Sequence, residues 1–75
     1  METQTIRMNT FTAVIRKENA LYVAHCPEVE TTSQGKTIEI ALKNLQEATA
    51  LYLEEFPVEP VGKPIITTFE VPSLS

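Results

Sequence analysis

Aspartate is absent from this chain of 75 residues, and all ten of its acidic side chains are glutamates. Metal-dependent nuclease centres need several convergent carboxylates, usually including aspartates, whose short side chains hold the metal close to the backbone. Glu28 and Glu30 could approach each other, but the predicted strands add only Glu70 to them. We therefore expect a protein that binds no metal or other cofactor and is not an enzyme.

Cysteine and histidine are almost as scarce, since Cys26 and His25 are the single representatives of their types. One cysteine forms no internal disulfide, and a closed zinc site needs four ligands. The two residues also cannot act together as nucleophile and base, because neighbours in a strand point to opposite faces. The pattern predicts a half-buried cysteine beside a histidine at the surface or in an interface.

Long hydrophobic runs are missing as well. No stretch approaches the roughly 18 apolar residues of a membrane span, and the first ten residues lack the apolar core of a signal peptide. A single free cysteine suits a reducing compartment. We therefore expect a cytoplasmic protein without a membrane partner.

Positive charge is in the minority, because six Lys and Arg residues stand against ten Glu and leave a formal net charge of -4. Direct nucleic-acid binding draws its affinity from Lys and Arg on phosphates, so this balance favours a basic partner instead. Residues 1–75 form one domain, and a domain this small buries only about 60% of its unfolded surface. With disulfide and metal excluded, association is the remaining means of stabilisation, and we expect a homodimer or a higher homo-oligomer.

Hydrophobic periodicity divides the chain into strands and one helix. Alternating apolar residues predict strands over 6–16, 21–26 and 29–33, which form an antiparallel meander. Thr37 is a good N-cap, and the apolar residues after it recur at helical spacing to about Glu55. The sequence thus places three strands before its single helix.

A last strand is predicted over residues 65–71, with Ile65 and Phe69 on one side. The helix then becomes a right-handed crossover that lays this strand beside the first. The expected fold class is α+β, with the order β-β-β-α-β, a four-stranded mixed sheet of order 3-2-1-4 and the helix on one face. Either Leu21 or Tyr22 adds to an apolar second face. The predicted oligomer interface consists of Val14, Tyr22, Leu51, Leu53, Phe56 and Ile66.

The segment Ser33–Thr37, Ser-Gln-Gly-Lys-Thr, superficially resembles the end of the phosphate-binding motif G-x-x-x-x-G-K-[ST]. The first glycine of that motif would fall at Glu30, and the remaining loop positions are not glycine either. A strand-to-helix turn explains the same residues. We therefore predict that Gly35 provides an unusual backbone angle just before the N-cap.

An ordered set of short motifs between about Phe11 and Phe56 resembles the HicB-like antitoxin family. The set is more specific than any one of its motifs. It consists of Tyr22-Val23-Ala24, Cys26-Pro27-Glu28, Ser33-Gln34-Gly35, Thr37-Ile38-Glu39, Ala41-Leu42, Asn44-Leu45, Glu47-Ala48 and Leu51-Tyr52-Leu53-Glu54.

This resemblance implies a fold similar to a truncated RNase H sheet with one helix. It also implies a partner, a small HicA-type mRNA-cleaving toxin that the antitoxin inhibits by masking its active site. The chain resembles short members without a C-terminal DNA-binding domain, so we expect no direct DNA binding by this chain alone. The predicted toxin-binding residues are Glu28, Glu30, Ser33 and Gln34. The alternative is a stand-alone oligomeric binding module for a small molecule or a protein, with no toxin partner.

Overall fold

A computed structural model describes residues 9–57 and 64–74 of the chain. The elements are β1 (Val14–Glu18), β2 (Leu21–Cys26), β3 (Thr31–Gly35) and α1 (Ile38–Glu55). The strands form an antiparallel sheet in the order β1-β2-β3. The described part of the chain is therefore an α+β unit with three strands and one helix.

A tight hairpin joins β1 to β2. The register pairs Val14 with His25 and Glu18 with Leu21, so only Asn19 and Ala20 lie between the paired strands. Asn19 has a φ of 58°, a left-handed conformation that asparagine tolerates better than most residues. Asparagine therefore suits this turn.

The connection between β2 and β3 is a turn closed by a hydrogen bond from the Glu30 amide to the Cys26 carbonyl, 2.8 Å long. Glu30 is left-handed, with a φ of 65°, and this conformation does not continue a strand. The third strand therefore begins at Thr31 rather than at the predicted Val29, whose side chain is buried beneath the turn.

The helix begins where the sequence predicted. Thr37 has extended backbone angles, with φ -128° and ψ 164°, and its hydroxyl oxygen accepts a hydrogen bond of 3.1 Å from the Ile40 amide. Such a cap satisfies one of the amides that have no partner within the helix. At the other end, the Phe56 amide donates to the Tyr52 carbonyl over 2.8 Å.

The core lies between α1 and one face of the sheet, where the helix packs on β3 and β2. The buried helical positions, Ala41, Leu45 and Thr49, recur every four residues along one stripe. Buried apolar side chains at the centre are Ala24, Cys26, Val29, Ala41 and Leu45. Partly buried side chains around them are Phe11, Ala13, Ile15, Tyr22, Tyr52 and Leu53.

Gly35 is required for a different reason from the one predicted. Its φ is not positive, so the expected unusual backbone angle is absent. Instead, a Cβ atom at this position would lie 2.6 Å from the Ala41 amide nitrogen and 2.6 Å from Cγ2 of Ile40. Glycine is needed because the end of β3 passes directly against the first turn of α1.

The predicted fourth strand is wrong, and with it the four-stranded mixed sheet of order 3-2-1-4. Residues 64–74 form neither a strand nor a helix, and the side chains of Ile65 and Phe69 are 94% and 86% exposed. Alternating apolar residues indicate that a segment can pair, whereas a strand forms only where a second strand is in hydrogen-bonding contact. Within the described ranges, no strand lies along the outer edge of β1. The first strand is also shorter than predicted, because it begins at Val14; residues 6–8 of the prediction lie outside the described residues.

Candidate functional site

The turn between β2 and β3 carries the two predicted partner-binding glutamates, and Glu28 holds a structural contact there. The Thr12 amide donates to Oε1 of Glu28 over 3.0 Å, and the Thr12 hydroxyl donates to Oε2 over 2.6 Å. The Cys26 thiol adds a weaker contact to Oε1 at 3.4 Å. Glu28 therefore fastens the chain before β1 to the β2–β3 turn.

These contacts set the protonation of Glu28. Donation by the Thr12 hydroxyl, followed by donation from the Thr12 amide, lowers the pKa of the Glu28 carboxyl below its ordinary value. A carboxylate that accepts hydrogen bonds is stabilised in its charged form. Glu28 is thus an anion whose two oxygens are already engaged within the chain.

Glu30 differs from Glu28, because its side chain is 76% exposed and close to another polar group. Its Oε1 lies 3.5 Å from Nε2 of His25, while Nδ1 of His25 and the Thr32 hydroxyl are hydrogen-bonded at 3.0 Å. We name His25, Glu30 and Thr32 the turn surface. It presents an exposed carboxylate, an imidazole and a hydroxyl side by side.

Ser33 and Gln34, the other predicted partner-binding residues, do not form one surface. They are neighbours in β3, so their side chains point to opposite faces of the sheet. Ser33 pairs with the buried Ala24 and faces the helix, half-buried. Gln34 is exposed on the opposite face, and its carbonyl accepts a 2.9 Å hydrogen bond from Nδ2 of Asn44. Of these two residues, only Gln34 shares the sheet face of His25 and Thr32.

The predicted interface residues in the sheet are also divided between its faces. Val14 is exposed and pairs with His25 on the face away from the helix. Tyr22 lies three residues from His25 in β2, so its side chain is on the opposite face, where it packs against the core. The open face therefore carries Leu21, and not Tyr22, together with Val14.

The remaining interface residues lie at the end of the helix and beyond it. Leu51 and Phe56 are exposed, and the Phe56 ring lies against the Tyr52 ring with centroids 5.0 Å apart. Leu53 packs against the core. Ile66 is exposed in the segment outside the sheet. The structure thus spreads these residues over separate surfaces instead of uniting them.

His25 and Cys26 lie on opposite sides of β2, as the sequence predicted, but the cysteine is fully buried and not half-buried. Cys26 is 1% exposed in the core, and His25 is half-buried on the other side of β2. Within residues 9–57 and 64–74, no three His, Cys, Asp or Glu side chains come together as metal ligands. A partly buried hydrogen bond of 2.7 Å joins the Thr31 and Thr49 hydroxyl groups and links β3 to α1.

An apolar groove of about 500 Å³ lies between the helix and the chain that leads into β1. We name it the β1 groove. The sequence does not predict this groove. In the structure, the exposed side chain of Leu42 lies at its rim. Its lining consists of Asn9, Phe11, Thr12, Ala13, Cys26, Leu42, Leu45, Gln46, Thr49, Ala50 and Leu53.

Comparison with known proteins leaves the family of this chain open. No family model matches it, and neither the curated proteins nor the solved structures give a significant match. In the part of the chain that the structure describes, no helix has both the length and the apolar character needed to cross a membrane.

Proposed function

We propose that this protein is a HicB-like antitoxin that binds a small HicA-type mRNA-cleaving toxin and inhibits it by masking its active site in the cytoplasm. The ordered motifs between Phe11 and Phe56 support the family, as does the succession of three antiparallel strands and one helix. The observation that carries the proposal is the turn surface, where the Glu30 carboxylate is exposed beside His25.

Electrostatic complementarity supplies the mechanism. A toxin that cleaves RNA needs basic residues to hold phosphates, and this chain has a net charge of -4. An acidic surface accelerates encounter with a basic partner and disfavours other acidic chains. At the turn surface, Glu30 would take the place of an RNA phosphate in the toxin's active site.

The test compares Glu30→Lys with Glu47→Lys, which makes the same charge change at an exposed position of the helix. Glu30 is preferred to Glu28 because loss of the Glu28 carboxylate also removes the Thr12 hydrogen bonds. The test needs a candidate toxin, a small basic chain encoded next to this one, and its readout is the inhibition of RNA cleavage. We expect Glu30→Lys to weaken inhibition at least tenfold, and Glu47→Lys to change it less than threefold, because an interfacial charge contributes more than a remote one.

Salt provides an independent readout, since steering between exposed charges is screened beyond about 8 Å at physiological ionic strength. Association of the wild-type pair should slow as salt rises, and the Glu30→Lys variant should show a shallower dependence. Equal inhibition by both variants would contradict the role of the turn surface. Absence of binding by the wild-type chain would contradict the antitoxin function itself.

A second candidate function is a stand-alone oligomeric binding module. The β1 groove favours it, because an apolar cleft with a few polar groups is the usual form of a binding site. This function would be favoured if the chain bound no toxin but associated with another molecule through the β1 groove.

A further inference from the structure

The apolar segment, residues 65–71, has the sequence Ile-Ile-Thr-Thr-Phe-Glu-Val. All four of its large apolar side chains, those of Ile65, Ile66, Phe69 and Val71, are exposed, and they form no part of the core of their own chain. Exposed apolar side chains this close together mark an interaction site. β-Branched and aromatic residues also favour a strand wherever a partner strand is available.

The second surface of the proposed contact is the β1 groove. The helix packs on β3 and β2, and within residues 9–57 and 64–74 the β1 groove stays open between α1 and the chain leading into β1. In the described residues the outer edge of β1 also lacks a neighbouring strand. An open strand edge beside an apolar groove accepts an added strand, which brings both backbone hydrogen bonds and apolar side chains.

We propose that the apolar segment of a second copy of this chain occupies the β1 groove, and that two copies exchange these segments reciprocally. Within one chain the sheet keeps its three strands; the added strand belongs to the partner copy. Reciprocal exchange gives a closed two-fold dimer in which both segments and both grooves are covered. The assembly does not depend on a toxin or on the turn surface.

The charges favour a second copy even though the chain is acidic overall. Among the described residues, no side chain that lines the β1 groove is charged, and Glu70 is the single charged residue of the apolar segment. Two copies with a net charge of -4 each can therefore meet on uncharged side chains, while the nearby Glu28 carboxylate is engaged by Thr12 and Cys26 of its own chain. A strongly charged partner would gain nothing from either surface.

The dimensions agree as well. From Leu42 to Leu53 the helix that borders the groove rises about 16 Å, at about 1.5 Å per residue. From Ile65 to Val71 an extended chain spans about 20 Å, at about 3.3 Å per residue, so the segment can run the whole length of the groove. Alternation then places Ile65, Thr67, Phe69 and Val71 on one side, toward the groove, and Ile66, Thr68 and Glu70 on the other.

The test uses two variants that each destroy one half of the contact. Ile65→Ser with Phe69→Ser alters exposed residues of the segment, and Leu42→Lys places a charge at the rim of the groove. Because these side chains are exposed in the isolated chain, each variant should keep its fold, which circular dichroism checks. Light scattering should report twice the 8.4 kDa chain mass for the wild type, and each variant should dissociate at least tenfold more readily.

Mixing the two variants is the decisive step. The segment variant keeps an intact groove, and the groove variant keeps an intact segment, so one productive contact can form between them. A mixture should therefore form 1:1 heterodimers, whereas each variant alone stays monomeric. The control is Thr68→Ser, on the other side of the segment, which should dimerise as the wild type does.

Three results would overturn the proposal. One is a monomeric wild-type chain at micromolar concentration, including a monomer whose apolar segment folds against its own groove. Another is a dimer that survives both sets of substitutions, which would place the interface on the open sheet face around Val14. The last is a mixture of two folded variants that stays monomeric.

Discussion

At the scale of single residues, Glu28 makes hydrogen bonds that sequence reasoning did not predict. Thr12 lies 16 residues away in the chain and donates to both carboxylate oxygens. A glutamate in a turn normally serves solubility, and no local pattern around Glu28 indicates a distant partner. The role of this side chain depends on a tertiary contact, and only the structure shows it.

The Glu28 contact predicts a dependence of stability on pH. The pKa of Glu28 is lowered in the folded chain by Thr12, so the folded state binds this proton less readily than the unfolded state. The stabilisation is therefore complete above the unfolded pKa of about 4.3 and is lost as the pH falls through the lowered folded pKa. Urea midpoints measured at neutral and acidic pH should show a smaller acid-induced loss in Glu28→Gln than in the wild type.

Glu39→Gln is the matched control, because Glu39 is an exposed residue of the first helical turn, away from Thr12. Its acid-induced loss should stay closer to that of the wild type. Identical pH profiles for the wild type and Glu28→Gln would show that the Thr12 contact does not persist in solution.

At the scale of elements, the place where β3 meets α1 fixes how the helix lies on the sheet. Gly35 lets the strand end pass against the helix backbone, and the Thr31–Thr49 hydrogen bond holds the same two elements further along. The helix can therefore neither slide nor tilt without losing one of these contacts.

We predict that Gly35→Ala destabilises the fold by about 1–3 kcal/mol, the usual range for a methyl group forced into a packed site. Its Cβ would lie 2.6 Å from the backbone nitrogen of Ala41, an atom that cannot move without displacing the helix. Chemical denaturation gives the free energy of unfolding. Gln34→Ala, at the exposed neighbouring position, should change it by less than about 0.5 kcal/mol; an equal effect of both substitutions would contradict the close approach.

The sequence predicted elements whose signals are local. The second strand and the helix from its Thr37 cap to Glu55 follow from alternation and helical spacing, and both are confirmed. Residues 65–71 carry the same alternation, yet they form no strand, because pairing needs a partner that periodicity does not reveal. The β1 groove was missed for the same reason, since periodicity does not show which part of the core surface the helix leaves uncovered.

At the scale of the whole molecule, the helix protects one face of the sheet and leaves the other open. Val14, Leu21 and His25 share that open face, and the apolar segment adds a second exposed apolar region. A chain of 75 residues has a small core, and this core contributes little stability to offset so much exposed apolar surface. Its stability should therefore depend on its own concentration.

We predict that the melting temperature rises with protein concentration, because a folded dimer is favoured over unfolded monomers by mass action. Thermal scans from about 1 to 100 µM should show this shift in the wild type. The Ile65→Ser and Phe69→Ser double variant should melt at one temperature throughout the range. A constant melting temperature for the wild type would contradict self-association.

The position of Cys26 has a practical consequence. The chain has one thiol, and it lies in the core with 1% of its surface exposed. Cys26 also borders the β1 groove, so a thiol-reactive dye modifies it when the structure around the groove opens, and the labelling rate reports how often the native state opens. Cys26 therefore serves as a built-in probe of conformational opening, and no engineered cysteine is needed for the measurement.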